Sequence, residues 1–422
     1  MARIAVVGAG WAGLAAAVHA VRAGHAVDVF EAARVPGGRA RSLEVALPGR
    51  DPWTLDNGQH ILIGAYTETL SLMQAVGVAP ARVLHAQPLR LLDAHGQGLA
   101  LPAWPAPLDA AWGIARARGW DWRDKASLLA AALRWRRAGF RCEAGMTVAA
   151  LCTDLRAAVV RDLIEPLCVA ALNTPAQDAC GQVFLRVLRD ALFGRGWGGW
   201  GGAWLLLPRE PLGRLFPEAA CEHLRRAGAR VHLGQRVNEL SATSPGWRVD
   251  GESYDALILA CASWDAVRLL EAAPVSAPQW LARARALRHE GIATVYASGG
   301  PRLAEPMLAL SGGPAQFVFD RAQLGGPPGL LAFVASASRG TREELEAQVL
   351  AQARAEGWEG LSVLQTVVEK RATFACTPGL QRPGQVIAPG LWACGDYVEG
   401  PYPATLEGAV RSACAVVQAL PP

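Results

Sequence analysis

Short, unbroken apolar runs and helical stretches alternate from the start of the chain. RIAVV, Arg3 to Val7, is brief, continuous and β-branched, the pattern of a strand buried on both faces of a parallel sheet. The helical stretch LAAAVHAVRAG follows and ends at Gly24, and AVDVFE, closing on Glu31, predicts a second strand. YDALILACAS and, near the C-terminus, LWAC predict two more buried strands. Beyond them, Leu406, Ala409, Val410, Ala413, Val417 and Leu420 share one face of a helix that begins near Ala404. In between, the strand-like runs GIATVYAS, QFVFD and LLAFVAS precede one helix, TREELEAQVLAQARAEG, and the run LSVLQTVVEK. That order predicts a mixed sheet with helices on it.

GAGWAG lies between the first strand and its helix and puts Gly8, Gly10 and Gly13 at the turn of a βαβ unit. Gly8 permits the tight turn, Gly10 lets backbone amides approach a pyrophosphate, and Gly13 lets helix pack closely on strand. The helix N-terminus offers free N–H groups and a partial positive charge to phosphates. Glu31, 23 residues after Gly8, is placed to accept hydrogen bonds from ribose hydroxyls. A second GxGxxG match, Gly196, Gly198 and Gly201 in GWGGWG, follows a helical stretch and precedes a strand-like one. That inverted context excludes a phosphate loop and suggests a glycine-tryptophan lid or loop beside an apolar site. One dinucleotide fold remains, with no second one for a nicotinamide donor. Gly37, Gly38 and Arg39 then form a further backbone-approach loop suited to a long phosphate-bearing ligand. In LDNGQHILIGAY, Asp56, Asn57, Gln59 and His60 gather beside an apolar strand, as a plain polar turn or as a site facing a cofactor ring. Gly395 and Asp396, between LWAC and the last helix, make a second cradle for sugar and phosphate oxygens.

Composition narrows the classes. With 422 residues the chain suits two or three domains, and 51% hydrophobic against 18% charged residues excludes disorder. A net charge of +4 is too small to argue for nucleic acid. Nine cysteines, scattered singly from Cys142 to Cys414, argue against a disulfide framework or zinc site and fit a reducing cytosol. Ile4 to Val21 mimics a signal peptide, but its glycine spacing marks the turn instead. Residues 104–141 hold five of the 15 tryptophans (Trp104, Trp112, Trp120, Trp122 and Trp135). They also hold seven arginines and Lys125 against only three aspartates. This mixture suits a helical segment lying on a membrane interface, and equally a solvated arginine face over core tryptophans.

The glycine turn, the acid ending strand two, the GGR loop and the C-terminal Gly-Asp with its helix occur in order from end to end. Together they resemble the FAD-binding domain of the flavin amine oxidase and phytoene desaturase superfamily. LDNGQHILIGAY, EPLCVAALNTPAQDACGQVFLRVLRDALFG and YPATLEGAVRSA further resemble the hydroxysqualene dehydroxylases, the squalene-associated FAD oxidoreductases of bacterial hopanoid pathways. The resemblance implies a discontinuous Rossmann-like α/β FAD domain, residues 1–75, 204–265 and 372–422. An inserted α+β substrate domain would take 76–203 and 266–371. It implies that Gly8, Gly10 and Gly13 hold the FAD pyrophosphate, Glu31 the ribose, Gly38 and Arg39 the pyrophosphate and ribityl chain, and Val237 the adenine. Gly395 and Asp396 would hold ribityl or phosphate, and Thr405, Leu406 and Glu407 would open the helix under the flavin. Cys394 and Cys414 sit in strand and helix patterns, so FAD is expected to bind non-covalently.

The implied reaction replaces the allylic hydroxyl of hydroxysqualene with hydrogen, hydride coming from N5 of reduced flavin. A polyene desaturase or an amine oxidase on the same fold is the alternative. His60 and Asp56 are the first candidates for the proton donor, followed by Glu165, Asp190 and Tyr402. The implied partners are a polyprenoid substrate and neighbouring squalene-pathway enzymes, with no nucleic acid or metal. The implied location is the cytoplasm, with a peripheral place on the membrane through 104–141.

Overall fold

The computed structural model describes residues 1–47 and 50–420. One sheet is built from β1 (Arg3–Val7), β2 (Ala26–Glu31), β3 (Arg230–Leu233), β4 (Ala256–Leu259), β10 (Val386–Ala388) and β11 (Leu391–Ala393). Its spatial order is β3-β2-β1-β4-β11-β10, parallel except for the antiparallel edge strand β10. Burial on both faces explains the unbroken apolar runs. Ile4 and Val6 join one core with α1 (Trp11–Arg22) and the C-terminal helix α7 (Leu406–Gln418), whereas Ala5 and Val7 join the other. Strand order reverses between β1 and β4, and in such sheets the crevice at the carboxyl ends of the strands receives the ligand.

A second sheet comprises β5 (His289–Ser298), β6 (Met307–Ala309), β7 (Phe317–Asp320), β8 (Leu331–Ser336) and β9 (Ser362–Phe374), in the order β6-β7-β8-β5-β9. Every pairing in it is antiparallel. Its period-two alternation divides the side chains. Val295, Ala297, Val318 and Phe333 pack with Val349 and Ala353 of α6 (Arg342–Ala355). Tyr296, Phe317, Phe319 and Val334 pack into the core shared with the first sheet.

Residues 104–141 form two helices, α3 (Leu108–Arg116) and α4 (Trp122–Arg137). A reciprocal capping box starts α4, in which the Asp121 and Asp124 side chains each accept the other's backbone N–H. The tryptophans divide: Trp120 and Trp135 are core, while Trp104, Trp112 and Trp122 are exposed, Trp122 by 72%. Among the described residues no helix is long and apolar enough to cross a membrane.

Candidate functional site

A cleft of about 440 Å³ lies at the carboxyl ends of β1, β2, β4 and β11, and the second sheet closes it with Ile292, Phe317, Phe319 and Val334. Gly8 leaves β1 with φ +112°, where a Cβ would stand 2.8 Å from the Ala260 carbonyl. Gly10 is the N-cap of α1, and among the described residues no side chain caps that helix and no acid lies in its first turn. Its end amides and dipole are therefore available to an anion. The Gly37 N–H donates to the Ala9 carbonyl, which brings the second glycine loop against the first. Glu31 ends β2 and accepts from the Ala9 and Ala33 N–H groups at 2.7 and 2.8 Å, leaving lone pairs on the cleft side.

Arg39 spans the cleft. Its guanidinium pairs with Asp396 at 2.5 Å and donates to the Ala372 carbonyl, tying the start of the chain to its end. Burial alone would lower its pKa, but the Asp396 charge overrides this and raises it. Val237 lines the same cleft, its carbonyl held by Arg268 at 3.1 Å. Gly395, Thr405 and Leu406 complete the wall. Tyr397 also lines it, with a buried hydroxyl that has no partner among the described residues.

His60 lines the cleft, but as a poor acid. Its Nδ1 lies 2.8 Å from the Gly58 carbonyl, which can only accept, so Nδ1 carries the proton. Burial, with Arg39 adding to it, lowers its pKa and keeps the ring neutral, so Nε2 is an acceptor.

Several expected residues lie elsewhere. Asp56 is 3% exposed and outside the cleft wall; its carboxyl accepts the Leu212 N–H, and its backbone carbonyl accepts the Tyr296 hydroxyl. Glu407 is fully buried behind the wall, where it binds the N-terminus of α2 (Thr67–Ala75). Gly13 does not line the cleft; a Cβ there would fall 1.8 Å from the Gly8 carbonyl oxygen, so its service is helix packing. Glu165 is exposed and lines neither cavity. Of the two expectations for the GWGGWG segment the loop holds: Trp197, Trp200 and Trp204 are partly buried against the core that includes α1, and Ala203, two residues on, borders an apolar cavity. Cys394 is buried in that core, whereas Cys261, not singled out from sequence, lines the cleft. Burial pushes the Cys261 thiol up to about 12, so it stays protonated.

A second chamber, also about 440 Å³, adjoins the cleft. Leucines and isoleucines from α3, α4 and α5 (Gly181–Phe193) wall it, with Phe140, Phe193 and Phe317. Ile61, Tyr66, Ala170, Ala171, Phe317 and Thr405 line both spaces, so the two meet there. Among the described residues the polar side chains of the chamber are Tyr66, Thr405, Tyr402, Asp190, Trp135, whose buried indole N–H has no partner there, and, at the rim, Arg136. Tyr66 closes the LDNGQHILIGAY block, but a tyrosine after an apolar strand carries no signal in the sequence of what it faces.

The family description of flavin-containing amine oxidoreductases matches residues 11–421. The chain belongs to that family. FAD is its cofactor, and the cleft fits it: an uncapped helix end, glycine backbone, a strand-ending carboxylate and an unpartnered tyrosine hydroxyl converge there. Among relatives of this flavin oxidoreductase, a hydroxysqualene dehydroxylase of Sinorhizobium fredii is 28% identical over 427 residues, covering 96% of this chain and 95% of that protein. One from Zymomonas mobilis is 25% identical over 444 residues, covering 96% of each. An oxidoreductase structure from Methanosarcina mazei superposes with TM-score 0.73 at 17% identity, over 99% of this chain and 100% of that one.

Proposed function

We propose that this flavin oxidoreductase removes the allylic hydroxyl of hydroxysqualene to give squalene, the activity for which its Sinorhizobium and Zymomonas relatives are named. The observation that carries the reading is an apolar chamber opening onto the cofactor cleft beside a small group of hydroxyls. Apolar walls suit a long hydrocarbon chain, and the few polar groups suit its one oxygen. Non-covalently bound FAD, when reduced, supplies hydride. The net exchange takes in that hydride and one proton and releases water. The chamber walls exclude bulk water and align the allylic carbon toward the cleft.

In this reading Gly8, Gly10 and the α1 N-terminus hold the pyrophosphate, and Glu31 the adenosine ribose. Val237 meets the adenine through its backbone. Gly38, Arg39, Gly395 and Asp396 follow the pyrophosphate and ribityl chain, and Thr405 and Leu406 support the ring. His60 offers an acceptor at Nε2 and orients rather than protonates. An amine oxidase reading is less well served. Asp190, the carboxylate in the chamber wall, is already bound by Arg186 and by the Tyr402 hydroxyl, at 2.7 and 2.9 Å.

Anaerobic incubation of the holoenzyme, its flavin chemically reduced, with hydroxysqualene is expected to yield squalene. Recovery of unchanged hydroxysqualene, or of a more unsaturated product, would overturn the assignment.

The same reading extends to a lipid surface. Leu108, Leu129, Leu133 and Phe193 line the chamber yet are exposed, Phe193 by 41%. Trp112 and Trp122 project beside them, and Arg116, Arg123 and Arg136 lie against Trp112, Trp122 and Phe193. Aromatic anchors ringed by arginine match an anionic bilayer, from which a polyprenoid could enter the chamber directly. The protein is expected to sediment with phosphatidylcholine–phosphatidylserine vesicles, less so as salt rises. Leu129→Glu with Leu133→Glu is expected to weaken that binding about tenfold. Equal sedimentation of wild type and variant would count against a membrane face.

A further inference from the structure

Three hydroxyls stand where the two cavities meet or just beyond, and two have their protons committed. The Tyr402 O–H donates to Asp190 at 2.9 Å. The Thr405 hydroxyl donates to the Pro403 carbonyl at 3.3 Å while accepting the Gly408 N–H at 3.0 Å, as the cap of α7. Among the described residues the Tyr66 hydroxyl makes no hydrogen bond, and the neighbouring Thr405 oxygen is already an acceptor for Gly408. Its O–H is thus the one held most loosely, and it lines both the cofactor cleft and the apolar chamber. Burial, and then the negative charge of Glu407, raise its pKa, so the phenol remains neutral and can both donate and accept.

The loop that carries Tyr66 is braced. Gly64 N–H donates to the Trp204 carbonyl and Ala65 N–H to the Gly202 carbonyl, both at 3.0 Å, and the Trp197 N–H donates back to the Gly64 carbonyl at 3.1 Å. A Cβ at Gly64 would stand 2.0 Å from the Gly201 oxygen, so the strands of this brace touch backbone to backbone. The glycine-tryptophan segment thereby fixes the position of Tyr66 before any substrate arrives. Such preorganisation lowers the entropy lost when a ligand's oxygen is captured.

We propose that Tyr66 is the binding residue for the substrate's hydroxyl, holding it at the junction of the chamber with the cofactor cleft. The assignment rests on the dehydroxylase reading and deepens it by naming the group that distinguishes the C30 alcohol from the hydrocarbon. A site built to hydrogen-bond an oxygen discriminates against the ligand that lacks it.

The test measures dissociation constants of hydroxysqualene and squalene for oxidised holoenzyme, wild type and Tyr66→Phe, with flavin content and Tm as controls on folding. Wild type is expected to hold the alcohol more tightly than the hydrocarbon. In Tyr66→Phe the alcohol is expected to weaken roughly three- to tenfold, the range of one neutral hydrogen bond, with squalene affinity unchanged. A variant that weakens both ligands equally, or neither, overturns the assignment. So does a wild type that shows no preference for the alcohol, a measurement that needs no variant. Failure of the reduced wild type to form squalene would instead strike the parent reading, because the binding preference is measured without turnover.

Discussion

Replacing Glu407 with alanine is expected to lower the unfolding free energy by about 3 kcal/mol and to leave a preparation that retains flavin poorly. The carboxylate is wholly shielded from solvent. It accepts the Glu68 and Thr69 N–H groups at 3.1 and 2.9 Å, the Thr69 hydroxyl at 2.7 Å and the Arg411 Nε–H at 2.8 Å. Alanine would leave two helix-end amides and the Thr69 hydroxyl without their acceptor beside a buried cavity, and would take one of two acceptors from the partly exposed Arg411, which keeps the Thr67 hydroxyl. The loss passes to the cofactor because Thr405 and Leu406, immediately before Glu407, line the cleft. Thermal unfolding and the ratio of flavin to protein absorbance check it. A Tm within a degree or so of wild type would show that the helix ends find other partners.

Asp56→Asn is expected to stabilise the protein near neutral pH and to leave turnover intact. Burial raises the Asp56 pKa to about 6, against which the Leu212 N–H and the Arg321 charge give only partial relief. Its unfolded value is near 3.9. The folded state therefore binds this proton more tightly than the unfolded chain. Stability from this group is full below about pH 4, falls as pH rises toward 6, and is flat above that, a loss of up to about 3 kcal/mol. Asparagine keeps the oxygen that accepts the Leu212 N–H and never ionises, so the variant should lack this group's fall in stability across that window and diverge upward from wild type as pH rises. Denaturant unfolding from pH 4 to 7 gives both curves. Parallel curves would mean that Asp56 ionises freely in the fold, and a fall in kcat would return it to the site.

Much of the cofactor side was legible because it depends on local chain geometry. A glycine at the strand-to-helix turn, an acid closing the second strand and a Gly-Asp before the last helix each fix backbone within a few residues. Gly8, Gly10, Glu31, Gly38, Arg39, Val237, Gly395 and Asp396 all line one cleft. The polar cluster of residues 56 to 60 was legible only as a cluster. The strand Arg50–Asp56 ends on Asp56, which faces Leu212, and the chain then leaves it as a bend and loop whose Asn57, Gln59 and His60 line the cleft. Glu407 reads as a first-turn helix acid near the flavin, yet the helix rotates it away and onto another helix. Tyr66 was invisible as a functional residue because its setting is made by segments more than a hundred residues distant.

The sequence by itself determined the dinucleotide-binding βαβ unit, the return of the C-terminal segment to it, and a helical region rich in tryptophan and arginine. These follow from periodicity and glycine stereochemistry, which act over a few residues. Only the tertiary structure decided which acids face the cleft, which tryptophans stay exposed, and that an oily chamber meets the cofactor cleft at Tyr66 and Thr405. Those outcomes depend on packing between strands and helices far apart in the chain, and a side chain's neighbours across such contacts leave no pattern in its own segment.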